Sequence, residues 1–80
     1  MRKVFRKETM EMKKNMLRAG KLTWKQISEI CELHEQFLDE CDEIALQCEA
    51  EGYPAHGSNY ELRCADARLY YDEQIALIEA

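Results

Sequence analysis

Residues 23–51 read TWKQISEICELHEQFLDECDEIALQCEAE, and the spacing inside this stretch decides the fold. Ile27, Ile30, Cys31, His34, Phe37, Leu38, Cys41, Ile44, Ala45 and Cys48 recur at intervals of three and four. Side chains so spaced share one face of an α-helix, and that face has to be covered. The opposite face carries Glu29, Glu32, Glu35, Asp39, Asp42, Glu43 and Glu49 and is nearly solid carboxylate. Both ends are marked. Thr23 is a good N-cap, and Gln26 three residues later completes a capping box. Leu22 and Ile27 flank that cap as a hydrophobic staple. Glu51 and Gly52, followed by Pro54, supply the stop.

Working outward, Val4, Phe5, Thr9, Met12, Met16 and Ala19 form the stripe of a first helix over about residues 2–19, and Gly20 ends it. Ser58 and Glu61 write a second capping box, so a third helix is expected over about residues 59–80. Its seam is Cys64, Ala67, Tyr71, Ile75 and Ile78, with Leu62, Ala65 and Leu69 widening it. The short connection 52–57 folds the helix of residues 24–51 and the third helix into an antiparallel hairpin. Folding about residue 56 sets Cys48 opposite Cys64, Cys41 opposite Tyr71, and Phe37 and Leu38 opposite Gln74 and Ile75. The first two turns of the long helix (Trp24, Ile27, Ile30, Cys31) then extend past the third helix. The first helix, through Met12, Met16 and Leu17, or a second copy has to cover them. The expected fold is all-α: a single domain over residues 1–80, a small three-helix bundle built on a long antiparallel helical hairpin, and self-associating.

Size and charge bound the function. A chain of 80 residues buries only about 60% of its unfolded surface, and a core that small often needs a staple or a partner. The net charge of −5 is split. Residues 1–25 carry nine Lys or Arg against Glu8 and Glu11, giving +7, and residues 26–80 carry Arg63 and Arg68 against fourteen Asp or Glu, giving −12. Such asymmetry points to docking of opposite charges within or between copies, or to a basic arm for an anionic partner. The opening Met1-Arg2-Lys3 has no apolar run behind it, so neither a signal peptide nor a membrane span is expected. Four cysteines without an export signal suggest a reducing compartment and a cytoplasmic protein.

No catalytic constellation emerges. Cys31 and His34 are a close pair, but structural zinc wants four tetrahedral ligands. Cys48, His56 and Cys64 at the hairpin base lack a fourth ligand as well. The cysteines read as small apolar seam residues, with no metal and no cofactor. By the expected register, Cys48–Cys64 is the one pair within disulfide reach. A nucleophilic Cys31 needs an electropositive setting, and Glu29, Glu32 and Glu35 supply the reverse. His34 reads as a packed seam residue. The carboxylates lack the burial that tunes acid–base groups. As a rod of regular charge they can instead mimic a phosphate backbone. Arg2, Lys3, Arg6, Lys7, Lys13, Lys14 and Arg18 make the first helix a candidate anion binder, although the long acidic second helix does not suit a helix-turn-helix reader.

The functional expectation is therefore a non-enzymatic protein–protein interaction module, an inhibitor or adaptor. One candidate docking surface is the acidic face (Glu29, Glu32, Glu35, Asp39, Asp42, Glu43). The other is the hairpin end (Tyr53, His56, Tyr60, Tyr70), where aromatics gather as they do at binding surfaces. In form the chain resembles the small accessory proteins of phages and mobile elements, which implies an anti-defence inhibitor but carries no motif. Its partners are expected to be a protein and further copies of itself, with no membrane. Two alternatives remain. One is a nucleic-acid-associated regulator using Arg6, Lys7, Lys13, Lys14 and Arg18. The other is an oligomer that sequesters a small ligand such as a nucleotide.

Overall fold

The computed structural model describes residues 4–80. Among them the chain forms three helices and no strand: α1 (Lys7–Ala19), α2 (Trp24–Ala50) and α3 (Ser58–Glu79). The bundle is all-α, and its core belongs to α2. Ile27, Ile30, Cys31, Cys41, Ile44 and Cys48 are the buried apolar side chains among the described residues, and every one lies on that helix.

Local chemistry fixes the start of α2. The Thr23 hydroxyl accepts from the Gln26 backbone N–H at 3.2 Å, and the Gln26 side-chain oxygen accepts from the Thr23 N–H at 2.8 Å. Two N–H groups that the first turn leaves without helical partners are thereby satisfied. The Gln26 amide nitrogen also donates to the Ile78 carbonyl at 2.9 Å, tying the first turn of α2 to the last turn of α3. At the other end Arg63 grips Glu51 with two bonds of 3.0 and 2.9 Å. The beginning of each helix therefore lies beside the end of the other, and the two run side by side in opposite directions.

The register differs from the one expected. Phe37 meets Tyr71 edge-on, with ring centroids 5.8 Å apart, one turn away from Gln74 and Ile75. Cys41 lies beside Cys64 and Tyr60, about two turns nearer the hairpin bend than Tyr71, so the expected Cys41–Tyr71 layer does not form. The connection explains the shift. Tyr53 N–H bonds to the Cys48 carbonyl at 2.8 Å and Gly52 N–H to that of Glu49 at 3.0 Å, with Gly52 at φ 89°. This is a Schellman cap, which needs the left-handed conformation that glycine adopts without strain. Its residues wrap back over α2, so the chain reverses nearer Pro54 than residue 56. Because α3 slides along α2 by about a turn, it reaches Gln26, and the first turns of α2 do not extend beyond it.

Two helix starts also differ. α3 is capped by Gly57, one residue before the expected Ser58, and no Ser58–Glu61 capping box forms. Glu61 N–H bonds to the Gly57 carbonyl at 3.0 Å. The turn closes so tightly that a Cβ on Gly57 would lie 3.1 Å from the Pro54 Cβ. α1 begins at Lys7 and not near residue 2, because Arg6 is extended (φ −66°, ψ 162°) with its N–H donated to Glu35. Arg2 and Lys3, assigned to that helix from the sequence, lie outside the described residues.

α1 packs on α2 through a fully buried Thr9 and half-buried Met12 and Met16. Ile27, Ile30 and Cys31, expected to need cover from the first helix or a second copy, are buried within the single chain. Among the described residues α1 and α3 do not pack on each other. The molecule is accordingly elongated, 45 × 29 × 20 Å, with a radius of gyration of 14.4 Å, against about 12 Å for a compact chain of this length. No helix among the described residues is long and apolar enough to cross a membrane.

Thr23→Ala is expected to lower the unfolding free energy by about 1 kcal/mol. Gln26→Ala is expected to lose more, because it also removes the bond to α3. Urea titrations followed by helical circular dichroism check the order, and a Gln26→Ala variant no weaker than Thr23→Ala would show the α3 contact to be energetically idle.

Candidate functional site

The acidic face of α2 is partly spoken for. Glu35, expected to be exposed with its neighbours, is 5% exposed. A buried carboxylate requires charge and hydrogen bonds in compensation, and Arg6 supplies both. Its backbone N–H donates to Glu35 Oε1, and its guanidinium Nε lies 4.0 Å from Glu35 Oε2. The same guanidinium reaches Asp39 at 2.7 Å and Asp42 at 2.8 Å. Three of the six acidic candidates are thus engaged by one residue of the same chain. Glu29, Glu32 and Glu43 stand exposed.

The basic candidates divide likewise. Arg6 is committed to α2. The Lys13 ammonium sits 6.0 Å from the Phe5 ring centroid and 5.6 Å from that of Trp24, a cation held over two aromatic faces. Lys7, Lys14 and Arg18 are exposed and form no ion pair among the described residues.

The hairpin-end aromatics do not form one patch. His56 and Tyr60 pack edge to face with centroids 4.8 Å apart, and Tyr53 is exposed nearby in the turn. Tyr70 lies about 15 Å further along α3 and packs on Tyr71, 5.2 Å away. The Tyr60 hydroxyl turns inward to Cys64, and that hydrogen bond raises its pKa to about 12.

The cysteines are free and packed. Burial, and then the hydrogen bond with Cys64, push the Cys41 thiol up to about 12. Burial also raises Cys31, against the opposing pull of Lys13. Both therefore stay thiols at neutral pH, and a thiol is a poor nucleophile and a poor metal ligand. Among the described residues no group of three His, Cys, Asp or Glu gathers as a metal site.

What the sequence reading missed is the outer face of α3. None of α3's residues, all of them described, is buried. Its seam toward α2 is half-buried: Tyr60, Cys64, Ala67, Tyr71, Ile75 and Ile78. Leu62, Ala65 and Leu69 do not widen that seam. Leu62 and Leu69 are 67% and 68% exposed, Leu77 is 71% exposed, and Tyr70 stands beside them. The signal was available, because Leu62 precedes Cys64 by two residues, or about 200° around a helix. α3 is apolar on two opposite faces, and only one of them meets α2. Asp66 and Glu73 punctuate the outer stripe.

Between α1 and α3, over α2, lies a cleft of about 130 Å³ lined by Met12, His34, Phe37, Arg68, Tyr71, Asp72 and Ile75. Sites that enclose a drug-sized ligand run to roughly 300–1,000 Å³, and more open depressions elsewhere on the surface reach that size, about 570 Å³ beside Asp39, Glu40 and Glu43 and about 330 Å³ beside Met16, Leu22 and Glu79. Burial lowers the His34 pKa from its ordinary 6.5; Glu35 and Glu8 oppose this and Arg68 reinforces it.

Two outcomes follow from these contacts. Arg6→Ala is expected to cost about 1–2 kcal/mol of stability, with the difference shrinking in high salt as the exposed Asp39 and Asp42 contacts are screened; paired urea titrations check it. For His34, the unfolded chain binds a proton below 6.5 where the folded chain resists it. Stability should therefore fall as pH drops through that window toward the lowered folded value. His34→Gln should flatten this slope between about pH 7.5 and about pH 5.5, and an unchanged slope would place the titration elsewhere. Comparison of the chain with protein-family models, with curated proteins and with solved structures finds no match.

Proposed function

We propose that the chain is a non-enzymatic protein-interaction module whose docking surface is the outer face of α3, and that it works as an inhibitor or adaptor by occupying a helix-shaped groove or a partner helix. One observation carries this reading: Leu62, Leu69, Tyr70 and Leu77 stand exposed on a helix that buries none of its own residues. Apolar stripes of this kind are expensive to leave in water, since covering one large aliphatic side chain contributes about 1.5–3 kcal/mol. Grouped exposed apolar residues mark interaction sites, whereas scattered ones need no explanation.

The punctuation of the stripe narrows the partner. Asp66 and Glu73 sit among the leucines, so the complementary surface is an amphipathic helix with Lys or Arg beside its apolar positions. The exposed Glu29, Glu32 and Glu43 of α2 extend the acidic field and would steer such a partner in. The raised pKa values of Cys31 and Cys41 give a thiolate nucleophile little support. The nucleic-acid reading has less support, with Arg6 engaged by α2 and Lys13 held over aromatic rings.

A photo-crosslinking residue tests this directly. Placed at Leu69 in cells that produce the protein, it is expected to give discrete protein adducts, and placed at Glu32 it should give few. Adducts to nucleic acid alone, or equal yields from both positions, would remove the support for α3 as the working face.

A further inference from the structure

We infer that, until a target displaces it, the surface docking on α3 is α1 of a second copy of this chain, an inference that rests on the reading of α3 as the docking face. The exposed side of α1 carries Lys7, Met10, Lys14 and Leu17, and Met10 and Leu17 are each 40% exposed. From Met10 through Lys14 to Leu17 the order is apolar, cationic, apolar at intervals of four and three. On α3 the same intervals give Leu62, Asp66, Leu69 and again Leu69, Glu73, Ala76, in the order apolar, anionic, apolar. Two helices laid together along these stripes bury leucine and methionine against leucine and set Lys14 against Asp66 or Glu73.

Charge selects this pairing over its rivals. α3 against its own copy would bring Asp66 and Glu73 together with Asp66 and Glu73. α1 against its own copy would oppose Lys7 and Lys14 with themselves. The mixed pairing joins opposite signs. Each copy offers one α1 and one α3, and two equal contacts of this kind would close a dimer about a two-fold axis, the commonest symmetry of soluble oligomers.

The test is a charge exchange read by size-exclusion chromatography with light scattering across a concentration series. The wild-type chain is expected to run as a dimer that dissociates on dilution. Lys14→Glu and, separately, the double variant Asp66→Lys/Glu73→Lys should each raise the dissociation constant by about tenfold or more. All these positions are exposed, and circular dichroism is the check that the helices persist in the variants. Mixing the two variants should restore the dimer as a heterodimer, since each of its two contacts then joins opposite charges. A monomer at every concentration, a dimer indifferent to Lys14→Glu, or no rescue on mixing would each overturn the inference. Heterologous adducts from Leu69 alongside a strictly monomeric chain would overturn it while leaving α3 as a docking face.

Discussion

α2 supplies the buried apolar side chains of the described fold, and its neighbours are held through it. That single constraint explains the positions of the rest. α1 packs on α2, and the small Thr9 is its one fully buried residue. α3 runs the length of α2 but buries nothing fully. A seam this long also carries Glu35 inside the packed region. The chain answers by keeping Arg6 extended, so that backbone N–H and guanidinium both reach that carboxylate. The start of α1 at Lys7 follows from Arg6 being held extended against Glu35.

The legible and illegible parts of this fold separate by range. The capping box at Thr23 and Gln26 could be read because its donors and acceptors lie within three residues, and nothing distant competes for them. The stop at Gly52 could be read for the same reason. The hairpin register could not be read, because it depends on how many residues of the connection are spent in capping α2. Tyr53 folding back to the Cys48 carbonyl moves every layer of α2 against α3. The Ser58–Glu61 signal was present and locally sound, but contact between Gly57 and Pro54 closed the turn one residue earlier. The burial of Glu35 depends on Arg6, 29 positions away in sequence, and no local pattern announces it. In the candidate site, acidity and aromaticity drew attention to the outer side of α2 and to the turn. The outer leucines of α3 were hidden by being counted as part of the seam.

α3 has no single polar face to set its rotation. A helix with one apolar stripe can sit on its neighbour in one orientation. A helix with two opposed stripes can bury either, and tertiary pairing has to choose. Here Cys64, Tyr71 and Ile78 face α2, and the hydrogen bond from Gln26 to Ile78 with the ion pair from Arg63 to Glu51 pins that choice at both ends. The outer stripe is therefore left exposed as a consequence of how the inner one is fixed.

An exposed stripe of leucines would ordinarily promote indiscriminate association. Asp66 and Glu73 change that, because they lie inside the stripe and not beside it. Any surface covering the leucines must also meet two carboxylates. A purely apolar surface would bury them unpaired, at a penalty large enough to offset much of the gain from the leucines. An acidic surface would be repelled, and α3 is itself acidic. Only a surface with cations at matching intervals gains the apolar contact without the electrostatic loss, so the same two residues that weaken the stripe as glue make it selective. Lys7 and Lys14 on α1 carry such cations at such intervals. The charge division between the first 25 residues and the remainder thus acts twice. Within the chain it lets Arg6 neutralise Glu35, and on the surface it would equip each copy with both halves of the contact inferred between α1 and α3.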